Sequence, residues 1–126
     1  MGEILELTAS DGHTFSAYKA APQGTPKGGI VVIQEIFGVN EHIREVTDSF
    51  AAEGYLAIAP ALFDRAERGV ELGYGPDDRE KGMETRAKVE WDDAVKDPIA
   101  AREAVASAGK VGIVGYCYGG TIAWLG

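Results

Sequence analysis

Three short apolar runs constrain the fold of this chain more than any other feature of its sequence. They cover residues 30–33 (IVVI), 55–59 (YLAIA) and 111–114 (VGIV), and the first is entirely β-branched. Continuous apolar runs of this length are typical of strands that are buried on both faces of a parallel sheet. The segments between them carry helical patterns, so strands and helices alternate along the chain. This alternation predicts an α/β fold with a doubly wound, mainly parallel sheet and helices on both faces.

The remaining segments complete this prediction. Residues 3–8 and 14–20 alternate apolar and polar side chains around a turn at Ser10-Asp11-Gly12-His13, which predicts an N-terminal β-hairpin. Residues 41–53 form an amphipathic pattern that Asn40 can cap and Gly54 can end. Two further helices are expected, over residues 77–96 and from Asp97-Pro98 to Ala108-Gly109.

The only cysteine, Cys117, lies between Gly115 and Gly119, directly after the third apolar run. Glycines two residues before and after a nucleophile permit a sharp strand-to-helix turn that raises its side chain above the sheet. The amide dipoles at the start of the following helix would favour a thiolate. Two alternatives remain open: a lone cysteine is often a small buried apolar residue, and the glycines could form an ordinary tight turn. A nucleotide-binding loop is a weaker alternative, because neither the GxGxxG spacing nor a lysine after Gly120 is present.

Glu35 follows the first apolar run, at the start of a turn that contains Gly38. The active sites of parallel sheets lie at the carboxyl ends of the strands, so Glu35 would stand beside Cys117. The backbone N–H groups of Ile36 and Tyr118 could then point at a common oxyanion. The alternative interpretation of Glu35 is a solvated loop carboxylate.

Three motifs together resemble a known family. They are DGHTF (residues 11–15), QEIFGVN (34–40) and GYCYGG (115–120), and they resemble the dienelactone hydrolases, or carboxymethylenebutenolidases. That family consists of cysteine hydrolases with the α/β-hydrolase fold. The resemblance implies that Cys117 attacks a lactone or ester carbonyl to form an acyl-enzyme and that Glu35 assists activation of the thiol. It also implies that Ile36 and Tyr118 supply the oxyanion N–H groups.

The resemblance further implies how a substrate is bound. Phe37 would line the pocket, and Arg79 best matches the arginine with which the family holds a substrate carboxylate. The alternative for Arg79 is an ordinary surface arginine on a charged helix, although arginine suits bidentate carboxylate binding. The aromatic residues that the family places just after this arginine are not evident, since Met83 and Arg86 stand there. The expected partner is therefore a small ester or lactone that carries a carboxylate, of unspecified identity.

The catalytic acid and histidine of this fold follow the nucleophile in the chain, and neither is present here. No Asp, Glu or His follows Cys117, and the two histidines, His13 and His42, fall in the hairpin turn and at a helix start. We therefore expect residues 1–126 to be the N-terminal half of a single α/β-hydrolase domain that ends just after the nucleophile elbow. An open sheet edge would then favour a complementary C-terminal segment or self-association. The alternative function is a non-catalytic fragment or assembly module of the same fold.

Composition excludes several other classes of function. A net charge of −8 argues against nucleic acid or an anionic membrane as a partner, because both require a clustered basic surface. No stretch approaches the roughly 18–20 apolar residues of a membrane span. A single cysteine makes no disulfide within the chain, and no Cys/His cluster predicts a metal site or any other cofactor. These features predict a cytoplasmic protein.

Overall fold

A computed structural model of the chain describes residues 2–115 and Ile122. Its strands are β1 (Gly2–Thr8), β2 (Thr14–Ala20), β3 (Gly29–Ile33), β4 (Leu56–Pro60) and β5 (Val111–Gly115). Its α-helices are α1 (Glu41–Ala52), α2 (Pro76–Ala87), α3 (Trp91–Ala94) and α4 (Lys96–Ala104), and short 3₁₀ helices cover Leu62–Arg65 and Ala106–Ala108. Within the described ranges, no helix combines the length and the apolar character needed to cross a bilayer.

The five strands form one mixed sheet in the order β1-β2-β4-β3-β5. The predicted hairpin is present, because β1 and β2 pair antiparallel along their whole length, and β2 also pairs antiparallel with β4. The strands β3, β4 and β5 run parallel, as their apolar runs predict. In the pairing of β3 with β5, Ile33 is opposite Gly115. The carboxyl ends of these two strands therefore lie side by side.

Helices cover both faces of the sheet, which confirms the doubly wound prediction. On one face Val32 of β3 packs with Ile43, Val46 and Phe50 of α1. On the other face Val31 and Ile33 pack with residues of α4 and its flanks, including Ala101 and Val105. Alternate side chains of a strand point to opposite faces, so one apolar run supplies both cores.

The first helix begins and ends where the sequence predicts. The Asn40 side chain accepts a hydrogen bond from the backbone N–H of Ile43 at 3.2 Å, and α1 starts at Glu41. Gly54, just past its end, has a φ of 102°, a conformation that glycine adopts with little strain. Local capping chemistry thus marks both ends of this helix.

The region after residue 76 differs from the prediction, because the segment predicted as one long helix over residues 77–96 forms α2, α3 and the start of α4. Val89, in the break after α2, is buried in the core. Asp97 does not cap a helix: α4 begins at Lys96 without a side-chain cap, and Asp97 is fully buried. The carboxylate of Asp97 instead pairs with Arg65. Asp97 therefore forms this ion pair and not the N-cap that the sequence predicts.

Arg65 joins three separate segments through two bidentate contacts. Its Nε and Nη2 donate to Asp97 at 3.1 and 2.8 Å, and its Nη1 and Nη2 donate to Asp11 in the hairpin turn at 2.8 and 3.2 Å. The hydrogen bonds from Arg65 hold the pKa of Asp11 well below its usual range. Burial raises the pKa of Asp97, and the hydrogen bond from Arg65 opposes that rise. We refer to Asp11, Arg65 and Asp97 as the arginine network.

The substitution Asp97→Asn is expected to lower the free energy of unfolding by about 1.5–3 kcal/mol, the usual range for a hydrogen bond to a charged group. The reason is that the amide NH₂ would face the guanidinium, a donor against a donor, inside the protein. Urea unfolding followed by circular dichroism measures the change. The matched control is Asp93→Asn, which removes a partly exposed partner of Lys96 and should have a much smaller effect. If both variants lost the same free energy of unfolding, the stabilising role assigned to the Asp97–Arg65 ion pair would be contradicted.

Candidate functional site

The turn of residues 34–40 leads from β3 into α1 at the carboxyl edge of the sheet. Gln34, at its start, is fully buried. Its Oε1 accepts a hydrogen bond from the backbone N–H of Leu62 at 2.8 Å, and its Nε2 donates to the backbone oxygen of Glu35 at 3.0 Å. Because both polar ends of this buried amide are satisfied, Gln34 fixes the turn against the chain that follows β4.

The middle of the turn is in direct backbone contact with residues 70–72. Gly38 forms isolated β-bridges with Glu35 and Glu71, and the N–H of Leu72 donates to the carbonyl oxygen of Phe37 at 2.8 Å. Gly38 has a φ of 81°, and a Cβ placed there would collide with the carbonyl oxygen of Val70. Only glycine meets both conditions, so Gly38 determines how closely the two segments approach.

The Glu35 side chain is half-buried and accepts a hydrogen bond at Oε1 from the hydroxyl of Tyr74, with an O···O distance of 2.8 Å. Partial desolvation raises the pKa of Tyr74 and the Glu35 carboxylate raises it further, against an opposing effect of Asn40. Tyr74 is therefore a protonated donor at neutral pH. The ring of Phe37 meets the ring of Tyr74 edge-on, with 4.6 Å between centroids.

Helix α2 packs directly on this turn through Gly82. A Cβ on Gly82 would collide with the carbonyl oxygen of Ile36, so the helix approaches the turn at a distance that excludes any side chain. Arg79 lies one helical turn before Gly82 and is exposed. Together with Tyr74, Pro76 and Met83 it lines an open groove beside the turn. Among the described residues Arg79 has no ion-pair partner, although Glu80 and Glu84 line the same groove.

The structure thus brings four of the six predicted site residues to one region, namely Glu35, Ile36, Phe37 and Arg79. Cys117 and Tyr118 lie outside the described residues, so the proximity of the thiol to Glu35 and the shared oxyanion site stay predictions. Across residues 2–115, no group of three His, Cys, Asp or Glu side chains could hold a metal ion.

Sequence reasoning missed Tyr74, which contacts both Glu35 and Phe37. It lies in a stretch that reads as a loop of mixed charge. The one local signal is the placement of an aromatic residue between Gly73 and Gly75 just before α2. That signal indicates an irregular loop but does not indicate a contact with Glu35.

The family model and the curated relatives that match this chain agree on one family. A model of the dienelactone hydrolase family matches residues 15–126. The carboxymethylenebutenolidase of Pseudomonas putida is 38% identical over 130 aligned positions, which cover 98% of this chain and 54% of that protein. A Synechocystis protein with a provisional carboxymethylenebutenolidase name is 42% identical over 102 residues, covering 77% of this chain and 42% of its own length.

A solved structure has a similar fold. A Klebsiella pneumoniae protein with a provisional dienelactone hydrolase name superposes with a TM-score of 0.76 at 36% identity. The alignment covers 98% of this chain and 54% of the Klebsiella protein. The chain therefore spans about half the length of the relatives it matches.

Replacing Gly82 by alanine is expected to destabilise the protein by about 1–3 kcal/mol, because the new methyl group would collide with the Ile36 carbonyl oxygen. At an exposed position inside a helix the same change would stabilise by up to about 1 kcal/mol. The sign of the change therefore distinguishes close packing at Gly82 from an exposed position. Urea unfolding measures it. The control Glu84→Ala, at an exposed position of α2, should change the free energy by less than about 0.5 kcal/mol. A Gly82→Ala variant as stable as the parent would contradict the close packing.

Proposed function

The chain belongs to the dienelactone hydrolase family, and we propose that it carries the nucleophile of a hydrolase that cleaves lactones or carboxylic esters through an acyl-enzyme. The mixed sheet with its covering helices is part of an α/β-hydrolase fold. In that fold the nucleophile follows a strand at the carboxyl edge of the sheet. Cys117 has this position in the sequence, shortly after β5.

The observation that carries the proposal is the register of β3 and β5. Ile33 pairs with Gly115, and the two strands are parallel neighbours. Glu35 follows Ile33 by the same number of residues as Cys117 follows Gly115. This equal spacing supports a carboxylate and a thiol that face each other beyond the ends of the two strands.

The reaction that these groups would perform has two stages. In the first, Glu35 assists removal of the thiol proton when substrate enters, and the thiolate of Cys117 attacks the carbonyl carbon. A C–S bond forms, the ester C–O bond then breaks, and the leaving oxygen takes up a proton. In the second stage water attacks the thioester, the C–S bond breaks, and a carboxylic acid and the free thiol are released. In a lactone the leaving oxygen remains joined to the acyl group through the carbon skeleton, so the second stage releases one molecule that carries both the new carboxylic acid and the former ring oxygen.

Two further parts of the site would serve this reaction. The backbone N–H groups of Ile36 and Tyr118 would stabilise the oxyanion of each tetrahedral intermediate. Arg79, in the groove beside Phe37 and Tyr74, would bind a carboxylate on the substrate. The acid and the histidine that activate water would come from residues beyond this chain, as the chain order of the fold requires.

The nucleophile is tested with this chain together with a segment that supplies the acid and the histidine, on a small unsaturated lactone and an aryl ester. Cys117→Ala is expected to lower kcat/KM by at least about 10³-fold, because the covalent route is lost. Iodoacetamide should inactivate the parent and label the peptide that contains Cys117, and an unchanged Tm would exclude unfolding as the cause. Full hydrolysis by the Cys117→Ala variant would eliminate the proposed function.

The anionic subsite is tested with a pair of esters that differ only in a carboxylate. Arg79→Gln is expected to raise KM roughly tenfold or more for the ester that carries the carboxylate, because a charge-assisted hydrogen bond is lost. KM for the neutral ester should stay nearly constant. The matched control is Arg86→Gln. Arg86 lies in the last turn of α2, outside the groove. Equal effects on both esters would show that Arg79 does not recognise the carboxylate.

A further inference from the structure

The Glu35 carboxylate depends on a residue from a distant part of the chain. Tyr74 donates its only hydroxyl proton to Glu35 Oε1 at 2.8 Å, across a separation of 39 residues. The second carboxylate oxygen of Glu35 takes no part in this bond. A carboxylate that is held by one oxygen keeps the other available for a neighbouring group.

The direction of this hydrogen bond is set by Asn40. The Asn40 Oδ1 accepts from the backbone N–H of Ile43, which identifies the other terminal atom of the side chain as the donor Nδ2. Nδ2 donates to the carbonyl oxygen of Leu72 at 2.8 Å and to the Tyr74 hydroxyl oxygen at 3.3 Å. Because Tyr74 accepts from Asn40, its own proton is directed to Glu35.

Asn40 is itself a rigid anchor. It is 5% exposed, and it caps α1. The hydrogen bonds therefore run from the backbone of a helix start through Asn40 and Tyr74 to Glu35. A side chain held in this way has little freedom to rotate, and its orientation is transmitted to the group that it binds.

The ring of Tyr74 is positioned as firmly as its hydroxyl. It packs edge-on against Phe37, and the His42 ring lies 6.2 Å away between ring centroids. The residue is nevertheless 56% exposed and lines the groove that contains Arg79. Tyr74 thus lies between the Glu35 carboxylate and the groove in which a substrate carboxylate would bind.

We propose that Tyr74 is a positioning residue that holds Glu35 Oε1 and so directs the rest of the Glu35 carboxylate toward the thiol of Cys117. The inference rests on the function proposed above, since it gives Tyr74 a role only if Glu35 assists the thiol. Tyr74 contacts neither the thiol nor the ester carbonyl in this role, and it acts entirely through Glu35. Loss of its hydroxyl should therefore weaken the chemical step more than substrate binding.

The variant that tests this is Tyr74→Phe, which keeps the ring and removes the hydroxyl. In the same active preparation, with the lactone as substrate, kcat is expected to fall about tenfold or more, because misplacement of a catalytic group is costly. KM should stay within about twofold. The matched control is Tyr18→Phe, which removes another tyrosine–carboxylate hydrogen bond. Tyr18 donates this bond to Asp48 of α1 at 2.7 Å. This control should leave kcat unchanged.

A double-mutant cycle separates a role through Glu35 from a general effect on the fold. In a Glu35→Gln background, Tyr74→Phe should cause less than about a twofold further change in kcat, because the group that it positions is already lost. Full tenfold losses in both backgrounds would overturn the inference, and so would a Tyr74→Phe variant with the kcat of the parent. Either result leaves the proposed function intact if hydrolysis still requires Cys117. Hydrolysis that does not require Cys117 would overturn both.

Discussion

The arrangement of the site depends on two places where backbone meets backbone with no room for a side chain. Gly38 allows the chain at Val70 to lie against the turn after β3, and Gly82 allows α2 to lie against the carbonyl group of Ile36. These contacts bring the segment that carries Tyr74 and the helix that carries Arg79 to Glu35. The buried amide of Gln34 then fixes the turn itself. Hydrogen bonds and packing among the site side chains are consequences of these approaches.

Much of the fold could be predicted from the sequence, because its signals are local. The β-branched run at residues 30–33 predicts a buried strand, and Asn40 and Gly54 mark the ends of α1. The helices after residue 76 were less predictable, because α2 buries the small residues Gly82 and Thr85 and leaves Met83 exposed. A helix that packs through small residues has almost no apolar periodicity. The start of α4 was also hard to predict, because Asp97 forms a long-range ion pair with Arg65 instead of a local cap.

The same distinction applies to the site. Glu35 and the N–H group of Ile36 could be identified because they follow an apolar run at the edge where parallel sheets carry their chemistry, whereas Phe37 was found only by resemblance to a family. Tyr74 could not, because its role arises from contacts with residues more than thirty positions earlier. Arg79 was found by resemblance to a family, since its exposed position on a polar helix distinguishes it from no other surface arginine. In general, the end of a strand can be predicted from the sequence, whereas the loop residues that contact it cannot.

The arginine network has a consequence for the local dynamics of the protein. One guanidinium holds both the hairpin turn at Asp11 and the first turn of α4 at Asp97, two segments that are far apart in the chain. Displacement of Arg65 would release both carboxylates at once and would leave the buried Asp97 without its partner. Transient opening of the two should therefore be concerted, and their amide protons should exchange with solvent as one cooperative unit. A contact between a hairpin turn, a short 3₁₀ helix and the start of α4 thus makes the first hairpin and a late helix open and close together.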